Sequence, residues 1–253
     1  MTENVSGTDK LRAFLVVAAT IGMIAFNWLA ATGSVNGVTP EAVSNQYPTL
    51  VTPAGYAFAI WSLIYLGMIA FSIYQLFPAN IERFRNIRSL YITSCALNCA
   101  WIFFWHSFQI AACMAIIAAL LFTLMLITSK LRNTRSAGDT WLAKVPFGIY
   151  FGWVTAATLV NCAVLLTYMN VKMSHTAATG VGAGLILFAA IMGVLVRIKF
   201  LNYVYPLAIA WALTAIAVKQ SGQTLIVTAA AVGVVACLIA SLSFVMTLRS
   251  SQT

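Results

Sequence analysis

Acidic side chains are scarce here: Glu3, Asp9, Glu41, Glu82 and Asp139 are the only ones in 253 residues, and none falls inside a long apolar run. Proton- and ion-coupled transporters keep an ionisable group near the bilayer midplane, so this scarcity argues against a proton-driven pump, a voltage sensor or an intramembrane metalloenzyme. Catalytic signatures are missing too: the chain has no P-loop, no HExxH and no GxSxG, and an enzymatic role is not expected. The five cysteines (Cys95, Cys99, Cys113, Cys162, Cys237) form no CxxC and sit in apolar runs. They read as small core residues rather than as a disulfide framework or a zinc site. Of the two histidines, His106 and His175, both at expected helix ends, His106 is the one placed to ligate an iron or metal, although an interfacial polar residue is the simpler reading. No metal and no required cofactor is expected.

What the chain has in abundance is apolar sequence. It is 62% hydrophobic and 8% charged, with a mean hydropathy of +0.93; soluble domains carry about 25% charged residues. The fold class expected is all-α integral membrane. Eight spans are read at roughly 12–32, 54–77, 88–106, 109–129, 146–169, 176–197, 201–218 and 223–247, with lengths near the ~20 residues a hydrocarbon core requires. Lys10 and Arg12 ahead of the first run resemble the start of a signal peptide, but the run is longer than the 7 to 15 residues of a usual h-region, so a retained helix is preferred.

The net charge of +9 does not indicate nucleic acid, because the basic residues do not cluster with stacking aromatics on a polar surface. They set orientation instead. With a cytoplasmic N-terminus, the inner segments hold Lys10, Arg12, Arg83, Arg85, Arg88, Lys130, Arg132, Arg135, Lys144, Arg197, Lys199 and Arg249, leaving only Lys172 and Lys219 outside. The positive-inside rule then puts both termini in the cytoplasm, and a bacterial inner membrane is the expected location. The longest outer connection, residues 33–53, is rich in turn formers and reads as a lid or entrance.

The spans carry matching aromatic and amide faces. Phe58, Trp61 and Tyr65 share one side of the second span; Tyr91, Ser94, Asn98, Trp101 and Trp105 recur at helical spacing in the third; Tyr150, Trp153, Ala157, Asn161 and Tyr168 do so in the fifth. An amide in hydrocarbon needs a partner, so Asn98 and Asn161 belong inside the bundle. Two readings fit this pattern. The amides and tryptophans are interhelical packing, or they wall a cavity for a flat or bulky apolar ligand.

These residues also carry a family resemblance. "FAIWSLIYLGM", with Trp61, Tyr65, Gly67 and Met68, resembles the second-helix signature of the TspO/MBR family of tryptophan-rich sensory proteins, relatives of the mitochondrial translocator protein. "LNCAWIFF" is similar to that family's third-helix motif at Asn98 and Trp101, and "WVTAATLVN" to its fifth-helix motif at Trp153, Ala157 and Asn161. The resemblance covers residues 12–169 and implies a five-helix unit binding porphyrins, sterols and related ligands. It implies that Phe58, Trp61, Tyr65, Asn98, Trp101, Trp105, Trp153, Ala157 and Asn161 border the pocket, with a bound tetrapyrrole as one possibility. This chain departs from the pattern at Ala59, where the family has Pro, at Phe58, one position late, and in the outer loop, where "NQYPTLVTP" has Tyr47 as its single aromatic.

Residues 1–11 are then a cytoplasmic tail, and 170–253 an extension of three helices outside the five-helix unit. Small-residue pairs Gly180/Gly184, Ala189/Gly193 and Ala229/Gly233 prepare the extension for close helix packing, either on the five-helix unit or on a second copy. The reading is a membrane binding protein, sensor or carrier, for a tetrapyrrole-like, sterol-like or other bulky apolar molecule. The alternative is a secondary transporter of a neutral or amphipathic metabolite, for which the prolines Pro53, Pro146 and Pro206 ahead of Trp residues are a faint sign. Expected partners are the apolar ligand and the lipid bilayer, with a homodimer through the small-residue faces possible and no nucleic acid.

Overall fold

A computed structural model describes the backbone of residues 7–250 and the side chains of residues 7–243. Its long helices are α1 (Gly7–Ala31), α3 (Ile60–Tyr74, with one 3-10 turn before it at Gly55–Ala59), α5 (Arg85–His106), α6 (Ile110–Lys130), α8 (Val145–Tyr168), α9 (His175–Phe200), α10 (Tyr205–Lys219) and α11 (Thr224–Ser250). Short helices α2 (Pro40–Gln46), α4 (Pro78–Ile81) and α7 (Ala137–Asp139) lie in the connections, and a π-helical turn at Thr140–Lys144 leads into α8. Among the described residues all regular structure is helical. Among the described residues seven helices are long and apolar enough to cross a membrane; one further apolar helix, α10, has 15 residues. At 1.5 Å per residue α10 is about 22 Å long, short of a ~30 Å hydrocarbon core. The eight expected runs are therefore all helices, and the chain is a multi-pass membrane protein.

The chain packs as two compact units, residues 1–40 with 61–147 and residues 41–60 with 148–253. Packing thus groups the fifth apolar helix, from Gly148 on, with the three C-terminal ones.

In the first unit α1, α3, α5 and α6 bury Val16, Met23, Ile64, Met68, Ile117 and Leu124. Phe71 sits among Phe84, Tyr91 and Phe147 with ring centroids 5.5, 5.4 and 4.9 Å away. Gly67 allows α3 to meet the start of α8, since a Cβ there would lie 2.8 Å from Pro146 Cβ. Several polar groups in this core are paired across helices, as hydrocarbon favours: the Thr20 hydroxyl lies 2.6 Å from both Ser72 Oγ and Tyr91 Oη. Gln75 Nε2 donates to Ala13 O and its Oε1 accepts from Arg88 Nε. His106, expected at the interface, is instead fully buried. Its Nδ1 lies 2.8 Å from Ile102 O, and its carbonyl accepts from Asn36.

In the second unit α8 meets α10 at Gly152, where a Cβ would stand 2.6 Å from the carbonyl oxygen of Tyr205. Beside it Thr155 Oγ1 and Tyr205 Oη are 2.7 Å apart. Residues 49–57 strap α10: Ala54 N donates to Ala215 O, Trp211 Nε1 to Ala57 O and Gln220 Nε2 to Thr49 O. The small-residue pairs behave unequally. Gly193 backs onto Cys237 and Gly233 onto Leu213 and Ala190, so these pairs join α9, α10 and α11 to one another. Gly180 and Gly184 face open space, and it is Gly182 between them that is packed, against Ile226, Leu50 and Val51.

Candidate functional site

The nine candidate residues fall into two groups, one per unit. Tyr65, Trp61, Asn98, Trp101 and Trp105 lie in the first unit, on α3 and α5. Phe58, Trp153, Ala157 and Asn161 lie in the second.

In the first group helical spacing of three and four builds a stack of rings. Tyr65 and Trp61 are 5.6 Å apart and tilted by 22°, Trp61 and Trp101 are 6.4 Å apart at 30°, and Trp101 and Trp105 are 5.9 Å apart at 24°. Four aromatic rings from two helices therefore stack in one ladder, each tilted 22–30° from the next. Its ends differ. Trp101 and Trp105 are buried, whereas Trp61 and Tyr65 are half-buried. Trp105 is fixed by its indole N–H, which donates to Pro40 O at 3.1 Å.

Asn98 sits one turn before Trp101 on α5 and is fully buried. Its Oδ1 accepts from Asn27 Nδ2 at 2.7 Å, and Asn27 Nδ2 also donates to Met23 O at 2.8 Å. Asn98 Nδ2 has no hydrogen-bond partner. A buried amide donor left unmade costs roughly 1–3 kcal/mol. Asn27 was not among the expected residues, although an amide inside the first apolar run is itself the signal, because it has to find a partner in the bundle.

In the second group Phe58 lies edge-on to Trp153, with centroids 6.2 Å apart and an angle of 77°. Asn161 is buried and donates from Nδ2 to Ala157 O at 2.9 Å, one turn back along α8. The first group offers stacking surfaces and a donor; the second offers an edge-to-face pair beside an internally bonded amide.

A family model described as TSPO-like protein matches residues 13–244. The chain belongs to the TSPO-like family. The match runs through the three C-terminal helices of this TSPO-like chain, beyond the stretch of 12–169 on which the motif resemblance rests. No curated protein and no solved structure matches it significantly. Membership points to a membrane-embedded ligand-binding or sensor protein.

Proposed function

We propose that this TSPO-like protein binds a bulky apolar molecule, tetrapyrrole-like or sterol-like, within the membrane, as a sensor or carrier. The observation that carries the reading is the aromatic ladder Tyr65–Trp61–Trp101–Trp105, with the unmet amide donor of Asn98 on the same helix as two of its rungs. A stack that ends in half-buried rings offers a face on which one more flat molecule can extend the series. The donor then orients that molecule through a carbonyl, carboxylate or hydroxyl oxygen.

The test is equilibrium titration of the purified protein with protoporphyrin IX and with cholesterol, followed by tryptophan fluorescence for the first and by ligand partition for the second. Replacing Trp61 by Leu removes one stacked ring, worth roughly 0.5–1.5 kcal/mol, and is expected to weaken the bound probe about two- to tenfold. Binding of neither probe, or binding untouched by Trp61→Leu, overturns the reading. Uptake of the probe into proteoliposomes distinguishes a carrier from a sensor.

A further inference from the structure

A cavity separate from the aromatic ladder lies wholly within the first unit, where α6 ends and α5 begins. It has a volume of about 280 Å³ and is lined by Arg83, Asn86, Lys130, Asn133, Thr134, Arg135 and Asp139, with Phe84, Ile87 and Leu131 as its apolar floor. We infer that it is a site for a phosphate-bearing anion at the membrane surface.

The charges set the chemistry. Asp139 is the one carboxylate in the lining, and it is already spoken for. Its Oδ1 accepts from Arg83 NH1 at 2.7 Å and from Tyr74 Oη at 3.0 Å, and its Oδ2 accepts from the backbone N–H of Arg135 at 3.1 Å. Arg83 and Asp139 thus neutralise each other, and Lys130 and Arg135 are left as a surplus of two positive charges. Asn86, Asn133 and Thr134 add neutral donors around the same hollow. Cations together with neutral donors are what an oxyanion of two or more oxygens needs.

The cup is also built rather than loose. Lys144 Nζ donates to Arg132 O at 2.7 Å, Thr134 Oγ1 lies 2.7 Å from Thr140 Oγ1, and Ser136 Oγ accepts from Asp139 N. The loop between α6 and α7 is therefore held from the π-helical turn, and its donors are positioned before any ligand arrives. Basic residues that only set topology need no such frame. Because the cavity opens at the ends of two membrane helices, it sits at headgroup level, where a pocket of this charge recognises anionic lipid headgroups. A small phosphate ester from the aqueous side presents the same group.

The experiment uses the full chain in nanodiscs of phosphatidylcholine with a minor fraction of phosphatidylglycerol, read by native mass spectrometry of the released protein. Preferential retention of phosphatidylglycerol is expected. The double variant Lys130→Gln/Arg135→Gln should lose about twenty-five-fold of that preference, taking each basic side chain as worth roughly fivefold. The control Lys172→Gln/Lys219→Gln makes the same change in charge outside the cavity and should keep it. Thermal unfolding of both variants checks that the fold is intact. A second arm adds inorganic phosphate and glycerol phosphate at millimolar concentration. Displacement of the lipid assigns the site to soluble phosphate esters, and undisturbed retention assigns it to the headgroup. No preference for phosphatidylglycerol together with no binding of either soluble phosphate, or an equal loss in both double variants, overturns the inference.

Discussion

The Asn27–Asn98 pair separates packing from binding, because the two amides are not equivalent. In Asn27→Leu, the 2.7 Å bond is lost and Asn98 is left fully buried with both Oδ1 and Nδ2 unmet. An interhelical bond in a membrane protein is worth about 0.6 kcal/mol and at most ~1.7. Stranding a buried acceptor adds part of the 1–3 kcal/mol such a group costs, so the variant should lose roughly 2–3 kcal/mol. In Asn98→Leu the same bond goes, but the already unmet Nδ2 goes with it, and Asn27 keeps its bond to Met23 O. Those contributions nearly cancel, and the expected change in stability is within about 1 kcal/mol. Binding should show the reverse order. Asn98→Leu removes the donor offered to a ligand and should weaken protoporphyrin IX or cholesterol about tenfold, while Asn27→Leu should leave affinity within about threefold. Thermal unfolding in one detergent and probe titration of the same preparations measure both. If Asn98→Leu destabilises the protein as much as Asn27→Leu, or if Asn27→Leu is the one that abolishes binding, the assignment of the free donor is wrong.

Three further outcomes follow from the same geometry. Gly152→Ala should destabilise by roughly 1–3 kcal/mol, because its methyl would press on a backbone oxygen of α10 that cannot turn aside, whereas Gly180→Ala should be neutral or stabilising by up to ~1 kcal/mol in its open helical position; paired melting curves check this. Asp139, the last residue of the short helix α7 ahead of the apolar part of α8, is pushed up by burial, but bonds from Arg83, the Arg135 N–H and Tyr74 outweigh this and hold its carboxyl below the usual range. Its contribution to stability is therefore complete above about pH 4 and is lost as pH falls through the depressed native value, so acid titration of melting temperature should show a step that Asp139→Asn lacks. Gln75→Leu removes the acceptor of the buried Arg88 Nε and should cost about 3 kcal/mol or more, a loss that Gln75→Glu should partly restore in the same assay.

Much of this molecule is legible in one dimension because a bilayer leaves few solutions. Runs of about 20 apolar residues must become helices, and the observed ends fall within a few residues of those read from the chain. Spacing by three and four on two helices also foretold that Trp61, Tyr65, Trp101 and Trp105 could meet, and they do. What spacing does not encode is which helix each face selects. Nothing in the local pattern distinguishes Gly180, which meets open space, from Gly193, which meets Cys237, because both lie in small-residue repeats of equal quality. Asn27 as the partner of Asn98 was likewise open, since several amides and hydroxyls could have satisfied the same need. The cavity between the end of α6 and the start of α5 was least visible of all, because its residues are spread over 83–87 and 130–139 and look like ordinary topology-setting charges until the loop folds around Asp139.

The aromatic ladder has an optical consequence. Three indoles and a phenol stacked at about 6 Å exchange excitation far faster than they emit, so light absorbed at the buried Trp105 can leave from the half-buried Trp61. The stack then reports as a single emitter. One acceptor molecule resting on its open end would darken every tryptophan in the series at once, so the depth of quenching says little about how many molecules have bound. Stoichiometry has to come from the position of the break in the titration curve.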